Sequence, residues 1–319
     1  MINQSRPIKG VIPVMLTAFD ESGAIDWTGQ QCLTDWYLRH GCESLFAVCQ
    51  SSEMLQLGLD ERIKLAEFTV DIVDNRVPVM ASGHIGKNLD EQRAELIGMA
   101  STGIDCLVFV TNRLDPKNEG AEKLFRSVEV LKNELPDDLP LGLYECPVPF
   151  RRLLTDEEIT HFAADPRFVF LKDVSCDLET VRRRLELTKN SGLVVSNANA
   201  AIAFDAMNSG ASGFCGVFNN FHPDLYRWLQ DEGGIHTEFA DELSRFLVLA
   251  AATEGMGYPK LAKLFHHRQG TIRSAFSRAV SDDIYEKYWG LDPILKNIEE
   301  GTAYYRKRIK YLQEAQCLS

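Results

Sequence analysis

The residue that most directly suggests a chemical function in this sequence is a lysine in an apolar stretch. Lys172 follows a run of aromatic and aliphatic residues from Phe168 to Leu171. Such a run is typical of a buried strand in a parallel sheet. Burial disfavours the ammonium form of lysine, and a neutral amine attacks ketones to form a Schiff base. The alternative is that Lys172 merely ends the strand and extends its amine into water.

A tyrosine is predicted to lie beside this lysine. Tyr144 ends the preceding apolar run, 140–144, and neighbouring strands are about 4.8 Å apart. Tyr144 can therefore exchange protons with a carbonyl carbon bound to Lys172, as a general acid and base. The alternative is a tyrosine at the rim of the sheet whose hydroxyl lies in water.

Other polar residues follow further strand-like runs, and we predict that they bind the substrate. Ser51 and Ser52 can donate hydrogen bonds to a small carboxylate, although the same hydroxyls can also cap the next helix. We assign Gln50, Thr17 and Cys215 to the same substrate site because each of them lies near the end of a predicted strand.

The elements that must position these residues alternate between strand and helix. Apolar runs predict strands at 10–16, 44–49, 78–82, 106–110, 140–144, 168–172, 193–196 and 213–218. Helical spacing predicts helices at 26–39, 59–74, 88–102, 121–135, 155–164, 178–189 and 201–208. Asp26 is placed to cap the first helix, and Thr155 with Glu158 forms a capping box.

Eight strand–helix units predict an α/β protein of the TIM (β/α)8 barrel type. An open doubly wound sheet is the alternative, but no GxGxxG follows any of the runs. Active sites of such barrels lie at the carboxyl ends of the strands, where Lys172 and Tyr144 are predicted. We expect the barrel to span 1–221, followed by a C-terminal helical region, 222–319, packed on it. The predicted helices of that region are 239–252, 258–267 and 292–316.

The composition indicates a soluble globular protein. Of its 319 residues 45% are hydrophobic, and 34 basic against 46 acidic residues give a net charge of −12. Such an acidic chain is not expected to bind nucleic acid. We expect no membrane span, no signal peptide and a cytoplasmic location. The eight cysteines form no CxxC pair and are expected to be reduced. The histidines are too scattered to predict a metal site.

Several motifs together resemble the dihydrodipicolinate synthase/N-acetylneuraminate lyase family of pyruvate-dependent class I aldolases. The similar segments are the opening strand 10–20, Leu59-Asp60-Glu61-Arg62, Tyr144-Glu145-Cys146-Pro147, Leu171-Lys172-Asp173, Gly210-Ala211-Ser212-Gly213 and 259–263. The resemblance implies a lyase in which Lys172 forms an imine with pyruvate or a related 2-oxo acid and Tyr144 shuttles protons. It also implies that no cofactor or metal is needed. The implied assembly is a homo-oligomer, a tetramer or a dimer.

The sequence departs from the family pattern in three places. Cys49-Gln50-Ser51-Ser52-Glu53 stands where the family usually has Gly-Thr-Thr-Gly-Glu, so Gln50 replaces a hydroxyl that normally links to the catalytic tyrosine. Asn112-Arg113-Leu114 replaces a Pro-Tyr-Tyr motif. Arg151 and Arg152 follow the tyrosine motif two and three residues later than the synthase arginine.

Three functions are therefore weighed. The first is a Schiff-base lyase or aldolase acting on a 2-oxo acid and an unidentified partner. The second is a non-catalytic or regulatory protein of the same fold that binds a small carboxylate. The third is an unrelated phosphate-binding barrel enzyme, for which 197–199 is a poor phosphate site. We favour the first function because Lys172 and Tyr144 are predicted at the same end of the sheet.

Overall fold

The chain folds into a parallel eight-stranded barrel surrounded by helices. The computed structural model describes residues 6–316. The strands are β1 (Gly10–Val11), β2 (Leu45–Val48), β3 (Val79–Ala81), β4 (Cys106–Val110), β5 (Leu141–Tyr144), β6 (Phe168–Asp173), β7 (Val194–Asn197) and β8 (Gly213–Phe214). They pair in the order β1-β8-β7-β6-β5-β4-β3-β2. A parallel bridge between Val14 and Phe46 joins the two ends of this order. The predicted TIM barrel is confirmed, and the open sheet is not formed.

Helices separate the strands and continue after the last one. They are α1 (Trp27–Arg39), α2 (Leu59–Val73), α3 (Leu89–Ala100), α4 (Thr111–Leu114), α5 (Ala121–Lys132), α6 (Asp156–Ala163), α7 (Leu178–Thr188), α8 (Ala203–Asn208), α9 (Pro223–Glu232), α10 (Thr237–Ala251), α11 (Lys260–Arg268), α12 (Ile284–Lys287) and α13 (Leu291–Gln316). In residues 6–316 we find no helix that has both the length and the apolar character needed to cross a membrane.

The predicted helix caps are present. The side chain of Asp26 accepts a hydrogen bond from the backbone N–H of Gly29 at 3.0 Å. Thr155 and Glu158 form a reciprocal capping box at the start of α6. These bonds satisfy backbone donors that have no partner within the first helical turn.

The first and last strands are shorter than the sequence predicts. Pro13 has no N–H for a continuous ladder, so the regular part of β1 ends at Val11. Gly213 of β8 lies so close to β1 that a Cβ atom there would be 1.9 Å from the carbonyl oxygen of Gly10. Beyond Gly216 the backbone enters a 3-10 helix, Val217–Asn220. Both strands are therefore short because Pro13 interrupts β1, the backbones of β1 and β8 approach closely, and a 3-10 helix begins after Gly216.

Three helices among the described residues were not predicted from the sequence. The short α4 lies directly after β4, α9 begins at Pro223 immediately after the barrel, and the short α12 precedes α13. Proline in the first turn of a helix is favourable because its missing N–H would have no partner there. The proposed division between 221 and 222 stays a prediction.

Candidate active site

Strands β5 and β6 bring the predicted catalytic pair together. Tyr144 and Lys172 are direct partners in the β5–β6 register. The Nζ atom of Lys172 lies 4.4 Å from the ring centroid of Tyr144 and 5.7 Å from that of Phe46. Both Lys172 and Tyr144 are buried. The arrangement places an amine against aromatic walls at the carboxyl end of the barrel, as the alternation of side chains predicts.

The hydroxyl of Tyr144 contacts a thiol that the sequence analysis did not select. Burial raises the pKa of Tyr144 well above its ordinary value, and nearby cysteines, Cys146 first, add to this shift. Tyr144 is hydrogen-bonded to Cys146, whose Sγ donates to Oε1 of Gln50 at 3.3 Å. Tyr144 is therefore a neutral phenol, and Gln50 is linked to it through Cys146.

The turn after β2 orients Ser51 and Ser52 differently. The hydroxyl of Ser52 accepts from the backbone N–H of Cys49 and donates to the carbonyl of Cys49, both at 2.7 Å. Thr17 donates its hydroxyl to the carbonyl oxygen of Ser52, also at 2.7 Å. Ser52 and Thr17 thus fix the turn. The hydroxyl of Ser51 is hydrogen-bonded to Tyr258.

The backbone of this turn points toward Cys49. Burial raises the pKa of the Cys49 thiol, whereas Lys172 and backbone hydrogen bonds from Ser52 and Ser51 lower it. A thiolate at this position would be stabilised by the same groups that stabilise a carboxylate. Burial therefore keeps Cys49 a neutral thiol, and the turn and Lys172 are the nearby groups that favour a negative charge.

A cavity of about 420 Å³ opens beside Lys172. Four of the predicted site residues line this cavity, namely Lys172, Tyr144, Gln50 and Ser51. Thr17, Ser52 and Cys215 are fully buried behind its wall. Burial raises the pKa of Cys215 to about 12, and Lys172 opposes that shift. The structure thus gathers four of the seven predicted residues at the cavity surface.

Two further lining residues come from the segment between α10 and α11. Glu254 and Tyr258 both line the cavity. The hydroxyl of Tyr258 accepts a hydrogen bond from Nδ2 of Asn220 at 3.0 Å, and Oδ1 of Asn220 accepts from the hydroxyl of Tyr37 at 2.6 Å. Desolvation raises the pKa of Glu254, and Lys172 opposes it. The sequence analysis missed Glu254 and Tyr258 because they lie far along the chain from the strand ends.

A buried ion network lies next to the predicted catalytic pair. Arg184 of α7 binds the carboxylates of Glu145 and Asp173. These two acids directly follow Tyr144 and Lys172 in the sequence. Burial raises the pKa of Glu145, and Arg184 opposes that shift. The network therefore ties the ends of β5 and β6 to one helix.

The residues that replace family motifs have structural roles. Nδ2 of Asn112 donates to the carbonyl oxygens of Cys146 at 2.6 Å and Phe150 at 2.7 Å. It thereby holds the loop that forms one wall of the cavity. Arg152 is buried in ion pairs with Asp115 at 3.0 Å and Glu158 at 2.5 Å.

Comparison with known proteins places this architecture in a family. The sequence model of the dihydrodipicolinate synthetase family matches residues 7–253. The 4-hydroxy-tetrahydrodipicolinate synthase of Bacillus subtilis (strain 168) is 30% identical over 210 residues, which cover 65% of this chain and 70% of that protein. The enzyme of the same name from Pseudoalteromonas atlantica is 25% identical over 273 residues, or 84% of this chain and 90% of that protein.

Solved structures show the same fold. Dihydrodipicolinate synthase DapA-2 of Bacillus anthracis superposes with a TM-score of 0.80 at 20% identity and covers 91% of this chain and 98% of that one. YagE, a prophage protein of the dihydrodipicolinic acid synthase family from E. coli K12, gives a TM-score of 0.77 at 21% identity, with 94% and 99% covered. The family match over most of the chain and the shared barrel lead to one conclusion: this protein belongs to the dihydrodipicolinate synthetase family.

Proposed function

We propose that this protein is a Schiff-base lyase or aldolase that binds pyruvate or a related 2-oxo acid through Lys172. The observation that carries the proposal is the contact between Lys172 and Tyr144 at the wall of an open cavity. Family membership supports it, and the structure of the relative YagE was solved in complex with pyruvate.

The chemistry assigned to each residue follows from its surroundings. The amine of Lys172 attacks the carbonyl carbon of the oxo acid, and the resulting carbinolamine loses its hydroxyl as water after Tyr144 supplies a proton. Burial keeps Tyr144 in the protonated form that this step requires. The Tyr144 phenolate left by that step removes a proton from the adjacent carbon of the iminium to give an enamine. The enamine adds to the carbonyl of an aldehyde while Tyr144 protonates the new alkoxide, and water then hydrolyses the iminium to release the product from Lys172. The reverse sequence cleaves the bond formed by this addition.

The substrate carboxylate is assigned to the turn after β2. Ser51 lines the cavity, and the backbone N–H groups of Ser51 and Ser52 point toward the buried thiol of Cys49, on which Lys172 also acts electrostatically. Hydrogen bonds from backbone amides to a carboxylate are strong because one partner is charged.

We propose that the reaction needs no cofactor. The iminium withdraws electrons itself, so this reaction requires neither a metal nor an organic cofactor. We also propose a homo-oligomer, as the family resemblance implies, and a cytoplasmic location. Sedimentation velocity of the purified chain would test the assembly.

Deuterium exchange into pyruvate tests the proposed function directly. In D₂O, enamine formation replaces the methyl protons of pyruvate by deuterium, which NMR detects. We expect exchange with the natural protein and none with Lys172→Ala. Tyr144→Phe should lower the exchange rate by about 10²–10⁴-fold, the range for a general acid–base group. Undiminished exchange by Lys172→Ala would contradict the proposal.

A further inference from the structure

Charge is unevenly distributed around the cavity. Of the described residues that line it, one is basic, Lys172, and one is acidic, Glu254. The other polar groups of the lining are hydroxyls, a thiol and side-chain amides, contributed by Gln50, Ser51, Gln56, Tyr144, Cys176, Asn199 and Tyr258. Once Lys172 has formed an imine with a 2-oxo acid, this lining offers no second cation to bind another carboxylate.

Three arginines in loops that supply lining residues have other partners. Arg151 donates through Nη1 to two backbone carbonyl oxygens after β6, at 3.3 and 3.2 Å. Arg152 is held in buried ion pairs. Arg278 forms a bidentate ion pair with a glutamate of α2, at 2.8 and 2.7 Å. These three arginines and Arg113 of α4 lie outside the residues that line the cavity.

Glu254 lines the same cavity as Lys172 and Tyr144. It belongs to the 3-10 helix Ala252–Gly255, where it keeps contact with solvent although neighbouring residues partly desolvate it, and it interacts electrostatically with Lys172. A second substrate that binds in this cavity shares it with the carboxylate of Glu254. Like charges repel more strongly where water is partly excluded. The amides of Gln50, Gln56 and Asn199 can each donate to and accept from hydroxyl groups.

We propose that the second substrate is an uncharged aldehyde bearing hydroxyl groups, and that Glu254 excludes aldehydes with a carboxylate at the far end. This inference rests on the proposed Schiff-base function and deepens it. Glu254 is thereby a specificity-determining residue supplied by the C-terminal helices.

Three six-carbon 2-oxo acids provide the test, because each carries its far end where the second substrate would lie. They are 2-oxohexanoate, which ends in a methyl group, 2-oxo-3-deoxygluconate, which carries hydroxyls, and 2-oxoadipate, which ends in a carboxylate. Borohydride reduction traps each imine, and mass spectrometry identifies the adduct. Pyruvate is trapped in parallel. Adducts of intact 2-oxo-3-deoxygluconate and of pyruvate released from it are summed.

We expect half-saturation for 2-oxoadipate at a concentration about tenfold higher than for 2-oxohexanoate, and the lowest value for the hydroxylated acid. Higher salt should reduce the difference in half-saturation concentration between 2-oxoadipate and 2-oxohexanoate, because it screens the repulsion. In Glu254→Gln, the half-saturation concentration for 2-oxoadipate should be within about threefold of that for 2-oxohexanoate. Arg151→Gln, the control, should leave the ratio unchanged.

Several outcomes would overturn the inference. Equal trapping of 2-oxoadipate and 2-oxohexanoate by the natural protein is one of them. Another is an unchanged ratio in Glu254→Gln. A third is loss of 2-oxoadipate trapping in Arg151→Gln, which would make Arg151 a carboxylate anchor. A hydroxylated acid bound no better than 2-oxohexanoate would contradict the hydroxyl assignment. Failure to trap pyruvate would instead refute the proposed function itself.

Discussion

Tyr144 is a buried phenol whose hydroxyl has a defined hydrogen-bond partner. Its hydroxyl is hydrogen-bonded to Cys146, and Cys146 donates in turn to Gln50. The family resemblance indicated that Gln50 stands where the family usually has a residue with a hydroxyl group. It did not show that a thiol two residues after Tyr144 occupies the space between them. Residue spacing predicts which side chains share an edge of the sheet, whereas the contact between two side chains depends on their rotamers.

The first prediction concerns this thiol. Cys146→Ala removes the hydrogen-bond partner of Tyr144, and we expect the rate of deuterium exchange into pyruvate to fall about tenfold. Cys146→Ser keeps a donor and acceptor of similar size and should retain the rate within about threefold. Borohydride trapping on Lys172 should persist in both variants. Equal exchange rates for the alanine and serine variants would show that the thiol does not assist Tyr144.

At the scale of elements, the site depends on two strand ends being held in register. Strand existence and order were predictable, since long apolar runs alternate with helical spacing. The carboxylates of Glu145 and Asp173 meet Arg184 beneath the site, and this meeting was not predictable. Arg184 is one of several charged residues of α7, and the sequence does not indicate which of them turns inward.

The second prediction is that Arg184→Met destabilises the protein by about 3–5 kcal/mol, because it leaves two buried carboxylates without a counter-charge. Chemical denaturation with urea measures this loss. Arg182→Met is the matched control on the same helix. Arg182 is exposed and pairs with Glu179 at 2.6 Å, so its loss should be below about 1 kcal/mol. Similar losses for the two variants would refute the role of the buried network.

At the scale of the whole molecule, the C-terminal region completes the cavity and is anchored to the barrel by a buried ion pair. Lys263 of α11 binds Glu53 of the turn after β2, and both are essentially inaccessible to solvent. The other carboxylate oxygen of Glu53 accepts from the Ser277 hydroxyl at 2.9 Å and from the backbone N–H of Ala279 at 2.7 Å. Ala279 lines the cavity. One glutamate thus joins the turn after β2 to the segment that contains Ser277 and Ala279.

The third prediction follows from the burial of that pair. Lys263→Met should lower the free energy of unfolding by about 3–5 kcal/mol, because it would leave the buried carboxylate of Glu53 without its cation. The double variant with Glu53→Gln should recover part of the loss. Lys260→Met, on the same helix, should cost less than about 1 kcal/mol. A loss no larger than that of the control would contradict the anchoring role.

The fourth prediction concerns pH. Burial lowers the pKa of Lys263 from 10.5 to about 8. Between these two values the unfolded chain binds more protons at this site than the folded protein does. The contribution of Lys263 to stability therefore rises as the pH rises through this window. The stability difference between the natural protein and Lys263→Met should accordingly grow from pH 7 to pH 9.5. A difference that shrinks over this range would contradict the assigned shift.

Long-range contacts mark the limit of sequence-based prediction for this molecule. The barrel, its helical C-terminal region and the pairing of Lys172 with Tyr144 follow from local patterns. Glu254 and Tyr258 reach the cavity only because α10 and α11 fold back over the carboxyl ends of the strands. The sequence analysis assigned no site residue to that segment, since it lies between two helices in a part of the described chain, 222–316, in which no strand is found.

The most direct test of the central claim is to locate the imine. The protein is incubated with pyruvate, reduced with borohydride, digested and analysed by mass spectrometry. We expect one modified peptide whose adduct lies on Lys172, and we expect no adduct in Lys172→Ala. An adduct on another lysine, or no adduct with pyruvate or other 2-oxo acids, would contradict the Schiff-base function and favour a carboxylate-binding role.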